Sequence, residues 1–268
     1  MNTLKTPLRY PGGKSRAVEK IYSRFPYGIK EYREPFLGGG SLAIHMSQKH
    51  FHLPIWVNDL YEPLYNFWAC LQTAGDIMQE RLVKLKEDNP YPEKAKELFL
   101  SSKDILSDGS DVERAVAFYV VNKCSFSGLT ESSSFSAQAS DSNFSMRGIN
   151  KLTSYMKIIK NWKITNLSYE ELLDGEDAFC YLDPPYEIGS NLYGKKGAMH
   201  KGFNHDRFFT ACDLSKQDCL VSYNTTQVIK SRFLNWTASE FDLTYTMRSV
   251  GEYMNDQKHR KELLLSNY

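Results

Sequence analysis

Several features are missing from this chain of 268 residues, and each absence removes a class of function. No uninterrupted apolar stretch approaches the roughly 20 residues that a membrane span requires. The opening Met1-Asn2-Thr3-Leu4-Lys5-Thr6-Pro7 holds no apolar signal core, so a cytoplasmic protein with no membrane partner is expected. The five cysteines, Cys70, Cys124, Cys180, Cys212 and Cys219, contain no CxxC pair. That argues against zinc or a disulfide framework and leaves buried free thiols. The six histidines show no HExxH spacing, and no metal is expected. No cysteine follows a proline, since Ala69, Lys123, Phe179, Ala211 and Asp218 precede them. A Pro-Cys nucleophile of the kind that attacks carbon-5 of cytosine is therefore lacking. A long apolar face or heptad repeat is lacking too, which favours a monomer.

Strong net charge is also absent, at +1, but distribution matters more than the sum. Lys123, Arg147, Lys151, Lys157, Lys160 and Lys163 fall in a stretch whose acidic residues are Glu131 and Asp141. Lys195, Lys196, Lys201 and Arg207 form a second basic stretch, and Lys258, Arg260 and Lys261 a third. Three local patches on a neutral protein suit a groove that meets phosphates.

The hydrophobic pattern alternates helix and strand at both ends of the chain. A helix is predicted over Ser15–Phe25, then a strand at Tyr32–Phe36, a helix that Ser41 would cap, and a strand at Ile55–Val57. From Leu60 to Lys123 the spacing turns helical, with Leu64, Phe67, Trp68 and Leu71 on one face and Ile77, Leu82 and Leu85 on the next segment. Residues 125–148 are rich in serine and carry Phe126, Phe135 and Phe144. They read as a long loop whose aromatics form a binding surface that orders on contact. Strands recur at Trp162–Thr165, 178–183, 218–223 and 262–265, with a helix near Thr225–Phe233. The fold class expected is α/β: a Rossmann-like sheet, residues 1–62 and 163–268, with a mainly helical insertion at 63–162.

Two motifs carry chemistry. In the first, Glu34-Pro35-Phe36-Leu37-Gly38-Gly39-Gly40-Ser41, a glycine loop joins a strand to a helix, so the backbone can approach a ligand that a Cβ would exclude. Asp59 follows about 20 residues on at the next strand tip, placed to accept from ribose hydroxyls. Upstream, Arg9-Tyr10-Pro11-Gly12-Gly13-Lys14-Ser15 contains Gly-Lys-Ser, but Leu8 stands where a phosphate loop needs glycine. It offers instead an aromatic ring, flexible backbone and a cation that could pair with a cofactor carboxylate.

The second motif is Asp183-Pro184-Pro185-Tyr186, at the end of the apolar run Phe179–Leu182. An exocyclic amine on a heterocycle is a poor nucleophile because its lone pair is delocalised into the ring. Hydrogen bonds to the Asp183 carboxylate and the Pro184 carbonyl would pull it toward tetrahedral geometry and free the lone pair. The prolines would fix the acceptor, and Tyr186 would offer a stacking face. A duplex hides that amine, so the base would have to be flipped out.

With Ala117–Lys123, Phe126-Ser127-Gly128-Leu129 and Ser222-Tyr223-Asn224 added in the same order, the chain resembles the Dam-type (D12 class) DNA adenine-N6 methyltransferases along nearly its whole length. The resemblance implies S-adenosyl-L-methionine (SAM) as cofactor and double-stranded DNA as partner, with a cognate restriction nuclease acting separately as a candidate companion. Tyr10, Lys14, Phe36, Asp59 and Asp183 would contact SAM, within a cofactor site that also takes in Pro11, Gly12, Pro35, Gly38, Gly40 and Ser41. Asp183 and Tyr186 would hold the flipped adenine, with Pro184 and Pro185 completing the catalytic turn. Phe126, Ser127 and Leu129 would insert at the target. Arg9, Asn122, Lys123, Glu131, Arg147, Lys195, Lys196, Lys258 and Arg260 complete the expected DNA surface. Glu131 departs from the family, standing where GATC-methylating relatives place an arginine that reads guanine. A carboxylate accepts from cytosine's amine but cannot donate to guanine, so the GATC target does not carry over. Two rival readings are an RNA amine methyltransferase and a nucleic-acid-binding protein on an inactive methyltransferase scaffold.

Overall fold

The computed structural model describes residues 3–10, 12–126, 128, 133–186, 202–242 and 261–268. Seven strands among them form one sheet: β1 Tyr32–Glu34, β2 Ile55–Asn58, β3 Lys163–Thr165, β4 Phe179–Leu182, β5 Asp218–Asn224, β6 Thr237–Asp242 and β7 Lys261–Ser266. Their order is β3-β2-β1-β4-β5-β7-β6. Strands β1 to β5 are parallel, while β7 runs antiparallel between β5 and β6. This is the expected Rossmann-like methyltransferase sheet. The chain winds outward from β1 to β3, then returns to lay β4 on the other side of β1. That reversal opens a crevice at the carboxyl ends of β1 and β4, where α/β sheets bind ligands.

The central strands are covered on both faces, which explains their unbroken apolar runs. Phe179 and Tyr181 of β4 join one core cluster, while Cys180 and Leu182 join the cluster on the opposite face, as the pleat requires. All five cysteines are buried with free thiols.

Between β2 and β3 lie the helices Glu62–Thr73, Gly75–Asp88, Pro92–Asp108, Asp111–Cys124, Ala137–Ser142, Met146–Asn150 and Leu152–Ile159. Pro92 stands in the first turn of its helix, where its missing N–H costs nothing. Ser110 and Glu113 cap the next helix reciprocally. Leu64, Phe67, Trp68 and Leu71 are wholly buried and share one core with Val57 of β2 and Tyr119. On Gly75–Asp88 the inward positions are Met78 and Leu82, while Ile77 is exposed. Among the described residues no helix is long and apolar enough to cross a membrane.

Three local expectations are corrected. The stretch 125–148 is not a continuous loop, because it contains Ala137–Ser142 and the start of Met146–Asn150. Its serines mislead as loop composition; Ser136 and Ser145 are N-caps that accept from Ala139 and Gly148 N–H. Phe144 is fully buried and meets Tyr119 edge-on, and Phe135 packs on Phe99, so of the three aromatics only Phe126 is exposed. Strand β6 was not expected, since Thr237-Ala238-Ser239-Glu240-Phe241-Asp242 is a largely exposed edge strand whose polar sequence carries no core signal. Ser41 is the first residue of its helix, Ser41–Lys49, and not its cap; Gly40 holds that place.

Candidate active site

At the carboxyl end of β1 the glycine loop is demanded by both conformation and space. Gly38 and Gly40 have φ of 51° and 68°, where a side chain is strained. A Cβ at Gly38 would lie 2.9 Å from the Tyr10 ring, and one at Gly40 2.9 Å from the Trp68 ring. Asp59, just beyond β2, ties the loop down. Its Oδ2 accepts from Gly38 N–H at 2.9 Å and its Oδ1 from Tyr61 N–H at 3.0 Å. Burial pushes the Asp59 carboxyl up to about 6, against the pull of those two bonds. Glu34, buried at the end of β1, accepts from the Tyr32 hydroxyl at 2.8 Å. Burial raises it to about 8; the Tyr32 bond opposes this, and the charges of Asp183 and Asp59 add to it.

Asp183 follows β4 directly, and the parallel pairing of β4 with β1 brings its carboxylate to the glycine loop. Lys14 Nζ lies 2.8 Å from each Asp183 oxygen, 3.1 Å from the Gly12 carbonyl and 3.4 Å from Glu262 Oε1. The Tyr186 hydroxyl shares its single proton between Asp183 Oδ1, at 3.3 Å, and Glu262 Oε1. Burial pushes Asp183 up to about 6, Lys14 opposes that rise and Glu262 adds to it. The Tyr186 ring stacks on Tyr223 at 5.7 Å, and the Tyr223 hydroxyl meets His205 Nδ1 at 2.6 Å.

A cavity of about 290 Å³ opens between these elements. Tyr10, Gly12, Lys14, Pro35, Phe36, Gly38, Gly40, Ser41, Asp59 and Asp183 all line it, as does Pro185. Pro184 and Tyr186 lie beside it, and Pro11 falls outside the described residues. The structure adds lining residues that sequence reasoning missed, including Glu34, Tyr169, Phe203, Asn204 and Arg207. Tyr169 stacks on Phe36 at 5.5 Å, and Phe203 meets Phe36 edge-on at 5.9 Å, so the three form an aromatic wall of the cavity against which a flat heterocycle can lie. A signal for Tyr169 existed: it follows the tip of β3 as Asp59 follows that of β2. Glu262 was missed as well, although a carboxylate heading three buried leucines, Leu263, Leu264 and Leu265, is out of place in a core strand.

The expected DNA surface divides. Asn122 is fully buried. Its Oδ1 accepts from Arg9 N–H at 3.0 Å, and its Nδ2 donates to the carbonyls of Arg9 and Gly128 at 2.7 and 2.9 Å. The Arg9 guanidinium donates to the Ser125 and Phe126 carbonyls. Asn122 therefore cannot touch phosphate, and Arg9 is engaged with the protein's own backbone; together they clamp the segment leading to Phe126. Gly128 completes the clamp with φ of 72°, where a Cβ would come 2.4 Å from the Arg9 carbonyl oxygen. Lys123 is half-buried over the Tyr119 ring, and burial followed by the charge of Arg9 pushes it down to about 8. Phe126 and Arg147 are exposed. Ser127, Leu129, Glu131, Lys195, Lys196, Lys258 and Arg260 lie outside the described residues.

Comparison with known proteins agrees with this geometry. The family described as D12 class N6 adenine-specific DNA methyltransferase matches residues 10–247. The Type II methyltransferase M.MjaIII of Methanocaldococcus jannaschii is 28% identical over 202 residues, covering 69% of this chain and 70% of its own. The Type II methyltransferase M1.LlaDCHI of Lactococcus lactis subsp. cremoris is 23% identical over 287 residues, covering 99% and 96%. A DNA N-6-adenine-methyltransferase of Escherichia phage P1 is 24% identical over 194 residues, covering 70% of this chain and 24% of its own.

Proposed function

The chain belongs to the D12 class of N6 adenine-specific DNA methyltransferases, and on that premise we propose that it uses SAM to methylate a flipped-out adenine within a short duplex motif. The observation that carries this reading is the meeting of Asp183 with the glycine loop in one cavity at the sheet's switch point. The residues present fit SAM. The glycine loop leaves room that a Cβ would fill, the aromatic wall of Phe36, Tyr169 and Phe203 along the cavity suits an adenine ring laid against it, and Asp59 keeps lone pairs for ribose hydroxyls. Lys14 is placed for the carboxylate of the methionine moiety. SAM supplies an electrophilic methyl group on a sulfonium.

The chain's own groups do the rest. Asp183 and the Pro184 carbonyl accept hydrogen bonds from the adenine amine, which localises its lone pair for attack. Tyr186 stacks on the base, a role that anchors what flipping would otherwise leave loose. Carboxylates around the site favour the positive charge that develops on N6 in the transition state. Residues 63–162 form the target-recognition region and residues 1–62 and 163–268 the catalytic part. Phe126, Lys123 and Arg147 meet DNA, with Arg9 and Asn122 holding Phe126 in place. The protein acts as a cytoplasmic monomer, with a cognate nuclease acting separately.

The test is transfer of a radiolabelled methyl group from SAM to unmethylated genomic DNA, followed by nucleoside digestion and mapping. N6-methyladenine in one short motif is expected. Label in RNA alone, or no transfer by protein that binds SAM, would overturn the proposal.

A further inference from the structure

Among the described residues, Glu262 is a buried charge that the function proposed above does not use. It sits on β7 opposite Asn224 of β5, only 1% exposed, ahead of three buried leucines. A leucine would serve β7 at least as well for folding, because burying a carboxylate costs free energy unless partners repay it. Among the described residues its partners include Lys14 at 3.4 Å and the Tyr186 hydroxyl. Both also hold Asp183, Lys14 through both carboxylate oxygens and Tyr186 through Oδ1. Among the described residues, both groups that engage the Asp183 carboxylate, Lys14 and Tyr186, are therefore shared with Glu262.

We propose that Glu262 is a positioning residue for methyl transfer: it holds the Tyr186 phenol by its hydroxyl and takes a share of Lys14, leaving Asp183 oxygens free for the adenine amine. The inference rests on the function proposed above. One lysine faces two carboxylates, so when Asp183 turns to the amine, Glu262 holds Lys14 in place beside the cofactor carboxylate it also faces, and the lysine does not follow Asp183. The Tyr186 hydroxyl, which can donate one proton, is drawn to Glu262 and competes less for Asp183 Oδ1. The ring is then fixed at its far end, where rotation about χ1 and χ2 would move it most. A glutamine at 262 offers Lys14 no charge and, as a neutral acceptor, holds the Tyr186 hydroxyl far more weakly than a carboxylate does. An aspartate keeps the charge but falls one methylene short of the phenol.

The experiment is steady-state methylation of duplex DNA by wild type, Glu262→Gln, Glu262→Asp, Tyr186→Phe and the double variant Glu262→Gln/Tyr186→Phe, with rates normalised to SAM bound per protein. Wild-type transfer is the control: without it the proposed function fails, and the inference falls with it. Given wild-type transfer, Glu262→Gln is expected to lower kcat about 10- to 100-fold, the scale of a misplaced reacting group. KM for DNA and for SAM should each stay within about threefold, since no contact to free substrate is lost. Tyr186→Phe should overlap with it, so that the double variant is no worse than the product of the two losses would demand, and clearly better. Glu262→Asp should recover part of kcat. A wild-type kcat in Glu262→Gln, or losses that simply multiply, would overturn the inference while leaving the function intact. If Glu262→Gln does not fold, the comparison of Glu262→Asp with Tyr186→Phe and their double variant makes the same test.

Discussion

At the residue scale, the proposed chemistry turns on Asp183. Burial raises it to about 6, so near neutral pH it is mostly ionised and able to accept from an amine. As pH falls through about 6 the carboxylate takes up a proton and loses that capacity, and kcat should fall with it. Asp183→Ala should lower kcat about a hundred- to thousand-fold, the scale of losing one preorganised hydrogen-bond partner of the transition state, while binding of duplex DNA, measured by gel shift, stays within a few-fold of wild type. Loss of DNA binding in parallel with turnover would count against its assigned role. Glu34 supports a second residue-level prediction. Its pKa is about 8 in the fold against 4.5 as an ordinary glutamate. Between those values the folded chain keeps a proton that the unfolded chain has released, so stability falls as pH rises from about 4.5 to about 8 and levels off above that. Each unit of that difference corresponds to about 1.4 kcal/mol. Glu34→Gln should therefore flatten the dependence of Tm on pH and melt higher than wild type at pH 8; an unchanged slope would show that Glu34 is not the group responsible.

At the element scale, the glycine loop joins β1 to the helix Ser41–Lys49 in a conformation open to few residues. Gly40→Ala imposes left-handed strain worth about 1–3 kcal/mol and drives a Cβ to 2.9 Å from Trp68. Because the Trp68 Nε1–H donates to the Gly38 carbonyl at 3.2 Å, a displaced indole moves the whole loop. Gly40→Ala is expected to lower Tm by several degrees and to weaken SAM binding in calorimetry; full affinity for SAM would place the cofactor elsewhere. The helix Asp111–Cys124 plays a similar structural part at the proposed DNA surface. Its last turn supplies Asn122, whose side chain joins Arg9 to Gly128 and fixes where Phe126 emerges.

At the scale of the whole molecule, the groups that meet at the proposed active site come from distant parts of the chain. Lys14 lies near the start, Asp183 in the middle and Glu262 in the last strand, and they meet because β4 lies between β1 and β5, with β7 beyond β5. A ligand that grips elements so far apart in sequence should stabilise them together. At 100 times its Kd, SAM should contribute about 2.7 kcal/mol, a rise in Tm of several degrees. Differential scanning calorimetry with and without SAM checks this, and no shift at saturation would reject the cavity as the cofactor site.

The sequence by itself determined the parallel sheet, the two motifs and nearly all of the cavity's near wall, because glycine spacing, strand-end carboxylates and apolar runs are local signals. Asp183-Pro184-Pro185-Tyr186 was legible for the same reason: its strand, turn and aromatic are consecutive. Tertiary structure alone decided what each charge faces. Asn122 and Arg9 looked like DNA contacts because polarity in a motif does not reveal whether a side chain's partners are solvent or backbone. Phe135 and Phe144 looked like a binding surface because composition does not separate an exposed aromatic from one packed on Phe99 or Tyr119. Glu262 and Tyr169 were passed over because each gains its meaning from a neighbour, Lys14 or Phe36, more than a hundred residues away in the chain, and only the winding of the sheet brings such partners within reach.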